Sequence, residues 1–553
     1  MIRLFEQHVV RKQKELEGMW RFVKEDGAEY SLPVPGCWEQ HPDLLRYRGK
    51  GTFYKTVYLQ EKCHVRLEFK GVSHTADVYF DDTLVAHHYN AFTAFDTVIR
   101  DVEAGEHVIK VCVDNTFGEH SALHTPNDYY TYGGMIRPVV FEELAEAYIK
   151  GIHFLPYQKA GEWYGKTEIT VVNLSDTEQK IIMRAGLADE AYKEELTLQA
   201  GEEKCIVWEQ KFADVEAWDV EHPKLYMLNV RLHTAEGRAI DDYIERVGFR
   251  EVTLKGSKLT LNGKPVFLKG FNRHEDYGVT GCAIPLQLMA QDMDMMLEVG
   301  SNAVRTCHYP NDERFLDLCD ERGMLVWEEN HARGFTLDRM QNPNFEKQCE
   351  DCIDEMIAQH YNHPSIVIWG ILNECASETE EGRKMYQKQY KQMKRLDTSR
   401  PTTSATCRHF TDICLDLPDI VSFNMYSGWY QDVTVKERHE QEMDWINEAG
   451  GAGKPVIVSE FGAAAIYGYR DRGRCKWSEE RQADLIRENL LVYREDERLT
   501  GVFIWQFADC KVTEEEWFPT RARCHNNKGV VDEYRRPKEA YDVVKELFPT
   551  MEA

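Results

Sequence analysis

The sequence predicts three domains: a jelly-roll-like β-sandwich over residues 1–145, an immunoglobulin-like β-sandwich over residues 146–250 and a (β/α)8 TIM barrel over residues 251–553. Three observations support this prediction. The chain of 553 residues is too long for a single core. Its first half carries short alternating apolar and polar runs broken by turn residues, as all-β domains do. From about residue 251, apolar runs alternate with amphipathic stretches, which indicates βα units.

The first domain is predicted from the runs 52–59, 64–69, 76–80 and 107–113, which are rich in Val, Tyr and Phe. Strands at that spacing are typical of a β-sandwich, in which alternate side chains face the core. Segment 128–134, Asp-Tyr-Tyr-Thr-Tyr-Gly-Gly, interrupts them as a polar aromatic loop. Taken alone, it is best interpreted as a surface loop packed by its own tyrosines.

The second domain is predicted from runs such as 166–172, 179–184, 203–208 and 225–231. About seven short strands in about a hundred residues is the immunoglobulin-like pattern. No residue in this block suggests chemistry, so we interpret it as a packing module.

Eight buried strands are predicted in the third domain, with helices between most of them. The connection between the fifth and sixth strands looks short and irregular. The predicted strands are 266–272, 303–307, 324–328, 366–374, 401–405, 420–425, 455–460 and 501–507. Eight such units over about 300 residues predict a TIM-type barrel, whose active sites lie at the C-terminal strand ends.

Charge and composition exclude several partner classes. The formal net charge of −27 argues against nucleic acid, which needs a basic surface. An acidic ligand would require a local basic pocket. No apolar stretch approaches a membrane span, and the start shows no secretory signal. Fifteen cysteines without framework spacing suit a reducing cytoplasm, and no metal or cofactor motif is found, so we predict neither.

Two of the predicted strands end in a carboxylate. Residues 366–374 finish in Asn373-Glu374, and residues 455–460 finish in Glu460. A retaining glycosidase needs one carboxylic acid to protonate the leaving oxygen and one carboxylate to attack the anomeric carbon, about 5–5.5 Å apart. Asn373 fits a donor to the sugar 2-hydroxyl. The alternative is that each Glu merely ends its strand in a salt bridge.

Other polar and aromatic residues also gather at predicted strand ends. Each alone could be an ordinary side chain whose hydrogen bonds are satisfied within the protein. Together, around two carboxylates, they match the needs of a pyranose site. The candidates at this level are His274, Asn424, Tyr426, Tyr430 and Trp505.

The chain resembles glycoside hydrolase family 2. The resemblance rests on Pro35-Gly36 with Trp38, on segments 246–250, 270–276 and 305–310, and on the two glutamate strands. In that family the Glu after Asn is the acid/base and the later Glu is the nucleophile, which assigns these roles to Glu374 and Glu460. The family motif usually continues with Pro, whereas Cys375 follows here; that Pro shapes the loop rather than the chemistry.

The segment His525-Asn526-Asn527-Lys528-Gly529 resembles the Asn-x-Lys signature of β-glucuronidases, whose Asn and Lys hold the substrate carboxylate. Physically, an ammonium beside an amide is an anion clamp, and Arg521 and Arg523 lie just upstream. We predict that Arg523, Asn526 and Lys528 bind substrate; the alternative is a solvated basic loop. Asp128 matches the glucuronidase loop whose Asp reaches the sugar from the first domain.

One position departs from the glucuronidase pattern. Arg333 stands where glucuronidases usually have a small or apolar residue. Glucuronate and galacturonate differ only at C4, so a guanidinium near that edge could favour one epimer. We therefore hypothesise that galacturonides are accepted and can be the main substrates. The loop after Phe335 is short, which suggests an open mouth that tolerates varied aglycones.

The sequence thus predicts a cytoplasmic, cofactor-independent, retaining exo-β-D-hexuronidase that hydrolyses β-glucuronides, β-galacturonides or both. A neutral-sugar β-galactosidase and a non-catalytic carbohydrate-binding scaffold are the alternatives. The resemblance also implies a homo-oligomer, while we expect neither nucleic acid nor a membrane as partner.

Overall fold

The computed structural model describes residues 2–552 and begins with two antiparallel sheets packed face to face. The four-stranded sheet has the order β1-β12-β5-β9, and the six-stranded sheet the order β3-β2-β4-β10-β7-β8. Side chains alternate between the sandwich core and solvent, and Phe22, Phe53 and Phe69 are buried between the sheets. The strands are β1 (Lys12–Glu15), β2 (Gly18–Lys24), β3 (Glu29–Val34), β4 (Lys50–Leu59), β5 (Cys63–Phe69), β6 (Val72–Ser73), β7 (Thr75–Phe80), β8 (Thr83–Tyr89), β9 (Phe95–Val102), β10 (Gly105–Asp114), β11 (Gly134–Met135) and β12 (Val139–Leu144).

A second sandwich of seven strands follows. Its sheets have the orders β13-β14-β17 and β16-β15-β18-β19, and Met183, Trp208 and Leu228 fill the space between them. The strands are β13 (Ala147–Lys159), β14 (Glu162–Asn173), β15 (Gln179–Leu187), β16 (Glu190–Leu198), β17 (Glu203–Phe212), β18 (Tyr226–Thr234) and β19 (Ala239–Val247).

The remainder forms a closed barrel of eight parallel strands, preceded by a small antiparallel sheet of β20 (Val252–Lys255), β21 (Lys258–Leu261) and β22 (Lys264–Pro265). The barrel strands are β23 (Leu268–Arg273), β24 (Ala303–Thr306), β25 (Leu325–Glu329), β26 (Ile366–Gly370), β27 (Thr402–Thr406), β28 (Ile420–Asn424), β29 (Val456–Phe461) and β30 (Leu499–Ile504). A short pair, β31 (Cys510–Lys511) and β32 (His525–Asn526), follows the last of them. The predicted fold class, two β-sandwiches and a TIM barrel, is confirmed.

Helices surround the barrel, and α2, α5, α6 and α7 start at side-chain caps. Asp312, Thr379, Thr434 and Ser478 each accept a backbone N–H of the first turn, which satisfies one otherwise unpaired donor. Residues 407–419 between β27 and β28 contain no helix, as expected from their irregular pattern. The helices are α1 (Leu286–Glu298), α2 (Glu313–Arg322), α3 (Leu337–Met340), α4 (Phe345–His360), α5 (Glu380–Leu396), α6 (Val435–Ile446), α7 (Glu479–Arg494) and α8 (Glu539–Leu547).

One predicted strand is shorter than expected. The strand predicted over residues 366–374 ends at Gly370, and the chain continues irregularly to Glu374, which has a φ of 55°. The segment still bonds both neighbours, because Asn373 N donates to Ala332 O and Glu374 N donates to Ala405 O. This turn aims the two polar side chains differently from a continued strand.

The first sandwich packs onto the C-terminal end of the barrel. Arg137 donates to Glu275 at 2.7 Å, and the Tyr132 hydroxyl donates to Asp276 at 2.9 Å. These buried contacts hold the loop that begins at Asp128 over the barrel mouth. None of the helices in residues 2–552 is both long and apolar enough to cross a bilayer.

Candidate active site

A cavity of about 300 Å³ opens where the barrel strands end. Its walls combine carboxylates, cations, amides and aromatic rings, which is a lining suited to a polar, partly flat ligand. The lining residues are Asp128, Arg333, Glu374, Cys407, His409, Asn424, Tyr426, Tyr430, Gln431, Glu460, Trp505, Trp517, Arg521 and Lys528.

Glu374 lies just beyond β26 and faces this cavity. Its Oε1 accepts a hydrogen bond from Asn424 Nδ2 at 2.9 Å, and its Oε2 lies 3.6 Å from Arg333 Nη2. The left-handed backbone at a non-glycine residue is a sparsely populated conformation, and such strain clusters at functional sites.

Glu460, in β29, faces the same cavity and is held from two sides. Arg305 Nη1 donates to Oε1 at 2.9 Å, and the Tyr426 hydroxyl donates to Oε2 at 2.7 Å. Burial and the negative charge of Glu374 raise the pKa of Glu460 to about 7, against the opposing influence of Arg305 and Tyr426. The carboxyl group of Glu460 therefore binds its proton more tightly than a solvent-exposed glutamate does.

Arg305 is fully buried beneath the pair and organises it. Its guanidinium makes two hydrogen bonds to Glu329, at 2.8 and 2.9 Å, and reaches Asn373 Oδ1 at 2.9 Å. Asn373 Nδ2, in contrast, has no hydrogen-bond partner within residues 2–552. The amide is thus fixed through its oxygen and keeps a free donor, as a contact to a sugar hydroxyl requires.

A cationic group forms the opposite wall. Lys528 Nζ donates to the Tyr430 hydroxyl at 2.7 Å, and Arg521 Nη1 donates to the same oxygen at 2.9 Å. Burial, followed by the charge of Arg521, lowers the pKa of Lys528. Burial alone would raise the pKa of Tyr430, but the charges of Lys528 and Arg521 outweigh it and lower that pKa. The lowered pKa of Tyr430 thus reflects the positive charge of Lys528 and Arg521 at this wall.

Asp128 reaches this wall from the first sandwich. It accepts two hydrogen bonds from Arg521, at 3.0 and 2.5 Å, and one from Asn526 Nδ2 at 3.0 Å. Arg333 Nη2 lies 3.9 Å from the same carboxylate. One acid therefore faces three cations, Arg333, Arg521 and Lys528, so this side keeps a net positive charge.

The structure brings most of the predicted site residues together. The two glutamates and Asp128, Arg333, Asn424, Tyr426, Tyr430, Trp505 and Lys528 all line the cavity. Asn373 and Asn526 lie directly behind it, bonded to Arg305 and Asp128.

His274 is buried behind Trp505, with ring centroids 5.4 Å apart. Its Nδ1 lies 3.1 Å from the Tyr309 hydroxyl, and burial, followed by the charge of Arg333, lowers its pKa to about 3. The imidazole is therefore neutral, and its visible contacts support the wall.

The structure does not bring Arg523 to the cavity. Its guanidinium pairs with Glu533, and 45% of the side chain is exposed. Positive φ angles at Arg523 and Cys524 turn the loop, so that Arg521 faces inward instead. Arg523 therefore does not reach the cavity as predicted, whereas Arg521 lines it.

Four further lining residues were not predicted: Cys407, His409, Gln431 and Trp517. The first two lie in the irregular connection after β27, and Trp517 lies in an acidic loop. Loop residues of this kind carry no periodic signal, so the sequence alone does not show which of them face inward.

Three buried side chains, His274, Cys307 and His308, bring possible metal-ligand atoms within 4.8 Å of one another. Arg305 Nη2 lies 3.4 Å from His308 Nδ1, and burial raises the pKa of the Cys307 thiol. A cation would therefore have to displace a proton beside a positive charge. We interpret this cluster as packing beneath Trp505.

Comparison with known proteins gives consistent findings. The model for glycosyl hydrolases family 2 matches residues 147–250, and the model for the TIM barrel domain of glycosyl hydrolases family 2 matches residues 252–553. A β-galacturonidase from Eisenbergiella tayi, solved with bound galacturonate, is 49% identical with a TM-score of 0.96, covering 100% of this chain and 99% of that one.

More distant relatives cover the chain equally well. A β-glucuronidase from Paenibacillus borealis is 26% identical in an alignment 597 positions long that covers 98% of each protein. The structure of a β-D-glucuronidase from Dictyoglomus thermophilum is 25% identical with a TM-score of 0.84, covering 99% of this chain and 98% of that one.

Proposed function

Because this chain belongs to glycoside hydrolase family 2, we propose that it is an exo-acting β-hexuronidase that prefers β-galacturonides to β-glucuronides. One observation carries the proposal: the buried Lys528 and the half-buried Arg521 face the same cavity as Glu374 and Glu460. A neutral sugar offers these cations no counter-ion, whereas the carboxylate of a uronic acid does. The galacturonate-bound relative and the β-glucuronidase relatives support the same substrate class.

The proposed reaction is a double displacement. Glu460 attacks the anomeric carbon while Glu374 gives its proton to the leaving oxygen, which forms a glycosyl-enzyme and releases the aglycone. Glu374, now ionised, takes a proton from water, whose oxygen attacks the same carbon and frees Glu460. Retention of configuration is tested by NMR, because the first product must be the β-anomer.

The reaction starts from the state in which Glu374 carries a proton and Glu460 is ionised. Arg305 and Tyr426 both donate to Glu460, and donors favour the ionised form of a carboxyl group. In that state Glu374 can protonate the leaving oxygen and Glu460 can attack the anomeric carbon.

Recognition of the substrate carboxylate is assigned to Lys528, Arg521 and Tyr430. Two hydrogen bonds already converge on the Tyr430 oxygen, so its own O–H is free to point to an incoming anion. The test is a panel of 4-nitrophenyl β-glycosides with galacturonide, glucuronide, galactoside and glucoside. Activity on both uronides should exceed that on the neutral sugars; preference for galactoside would overturn the assignment.

The Lys528→Ala variant sharpens this test. Loss of a charge-assisted contact of about 1.5–3 kcal/mol should lower kcat/KM for uronides by about ten- to a hundred-fold. Weak activity on neutral glycosides should change little. An equal loss on all four substrates would show that Lys528 supports the site without reading the carboxylate.

The epimer preference is assigned to Arg333. Its guanidinium lies between Glu374 and Asp128, within 3.6 and 3.9 Å of their oxygens, and can meet a ring hydroxyl there. The Arg333→Ala variant should lower the ratio of galacturonide to glucuronide activity. Unchanged selectivity would refute this role for Arg333 while leaving the uronidase assignment intact.

We also propose that the protein works in a reducing compartment, since all fifteen cysteines are free thiols in the structure. Homo-oligomer formation remains our expectation from the resemblance. Light scattering in solution measures it directly.

A further inference from the structure

The loop between β31 and Arg521 carries three consecutive acids and then an exposed tryptophan. We call residues 513–520 the acidic strap. Its first residue donates a backbone hydrogen bond to Asn127 O at 3.2 Å, next to Asp128. The strap therefore starts at the junction between the first sandwich and the barrel mouth.

Each acid of the strap pairs with an arginine from elsewhere in the chain. Two of these arginines belong to the first sandwich, and the third belongs to α3 of the barrel. The pairs are Arg46–Glu514 at 3.4 Å, Arg48–Glu515 at 3.7 Å and Arg339–Glu516 at 2.6 Å. These three ion pairs connect the strap to both the first sandwich and the barrel, beside the cavity.

Trp517 follows directly and lines the cavity. Its ring packs against Phe518 at 4.3 Å between centroids, and the Arg521 guanidinium lies 5.2 Å from its centroid. Even so, 51% of Trp517 is exposed. Tyr430, on the neighbouring wall, is 58% exposed. An exposed aromatic face at the mouth of a cavity can stack on a flat apolar group of a ligand.

The position of the sugar determines which part of the substrate can reach Trp517 and Tyr430. The reacting sugar must place its anomeric carbon at Glu460 and its carboxylate at Lys528, both of which are buried. Those contacts fix the ring in the inner part of the cavity. The group released by Glu374 is then the part of the substrate that projects to the solvent-facing rim.

We propose that Trp517 is a specificity-determining residue that binds the leaving group, and that it selects leaving groups with a flat apolar face, such as an aryl ring. The inference rests on the proposed uronidase activity and adds the class of aglycone to it. The strap holds the indole at the rim, and stacking on its exposed face stabilises the bound aglycone.

The test compares two substrates with the same uronic acid, a 4-nitrophenyl and a methyl β-uronide. In Trp517→Ala, the ratio of kcat/KM for the aryl substrate to that for the methyl substrate should fall about three- to ten-fold, since an aromatic contact is worth roughly that much. Trp517→Phe should keep most of the ratio. Phe410→Ala is the matched control, because Phe410 is 47% exposed but lies outside the cavity lining.

An unchanged ratio in Trp517→Ala would overturn the inference, whether both activities fall together or neither falls. A joint fall would mean that the indole acts through Arg521 in the sugar pocket. Failure of the wild-type protein to hydrolyse either uronide would instead refute the proposed function. The two failures are therefore distinguishable.

The strap provides a second readout. Glu516→Gln removes the pair with Arg339 and should lower the aryl-to-methyl ratio in the same direction, but by less than two-fold, because exposed ion pairs are weak. Added salt should lower the ratio in the wild type and have a smaller effect in Glu516→Gln. Equal salt dependence in both proteins would show that this tie does not position Trp517.

Discussion

Replacement of Glu460, the proposed nucleophile, should make the protein more stable at neutral and alkaline pH. Glu460 is buried beside Glu374, and its pKa is raised from 4.5 to about 7. The folded protein therefore binds this proton more tightly than the unfolded chain does. The stabilising contribution is fully present below pH 4.5 and is lost as the pH rises through about 7. The shift corresponds to about 3 kcal/mol.

Glu460→Gln resembles the protonated acid and should not lose this contribution. At pH 8 the variant should exceed the wild type by up to about 3 kcal/mol, or roughly 5 °C in the unfolding midpoint of a barrel of this size. Near pH 4.5 the difference should nearly vanish. Scanning calorimetry at the two pH values measures both midpoints, with Glu440→Gln, an exposed change on α6, as the control. A gain of equal size at both pH values, or a loss at pH 8, would refute the reasoning.

The remaining predictions concern catalysis, the clamp and acid stability. Glu374→Gln should bind uronides normally but lose turnover with poor leaving groups such as methanol, and wild-type rates on a methyl uronide would refute its role as acid. Arg521→Ala should lower uronide kcat/KM by ten-fold or more, whereas Arg523→Ala should change it less than two-fold; the reverse order would contradict the observed loop geometry. Burial lowers the pKa values of His74 and His331 to about 3. The stability that comes from keeping these two imidazoles neutral is thus fully present above pH 6.5 and is lost as the pH falls towards 3. Each contributes at most about 5 kcal/mol to the free energy of unfolding. Acid unfolding, followed by tryptophan fluorescence, should therefore shift to lower pH in a His74→Gln, His331→Gln double variant, and an unchanged midpoint would contradict this origin.

The fold could be predicted because its signals are local and repeated. Alternating runs and βα units recur many times along the chain, so an error in one element does not change the architecture. The end of β26 could not be predicted in the same way. The apolar run continues past Gly370, and only hydrogen bonds to the neighbouring strands, together with the left-handed Glu374, reveal the turn.

The site could be predicted in part for a similar reason. Glu374 lies just past one apolar strand and Glu460 near the end of another, and the strand ends converge in any barrel. Arg521 and Arg523 are two positions apart in an irregular loop, so their directions depend on positive φ angles at non-glycine residues. Trp517 follows three acids and looks like part of a solvated turn, because the arginines that pair with those acids lie far away in the chain.

Asp128 enters the barrel mouth from the first sandwich and is the counter-ion of Arg521. A barrel expressed by itself would thus leave the guanidinium of Arg521 without its carboxylate partner. If the sandwich is exchanged between homologous genes, the incoming sandwich must carry an aspartate at the position of Asp128. Without it, we expect the recombinant protein to lose substrate binding. The proposed activity consequently depends on residues from both the first sandwich and the barrel.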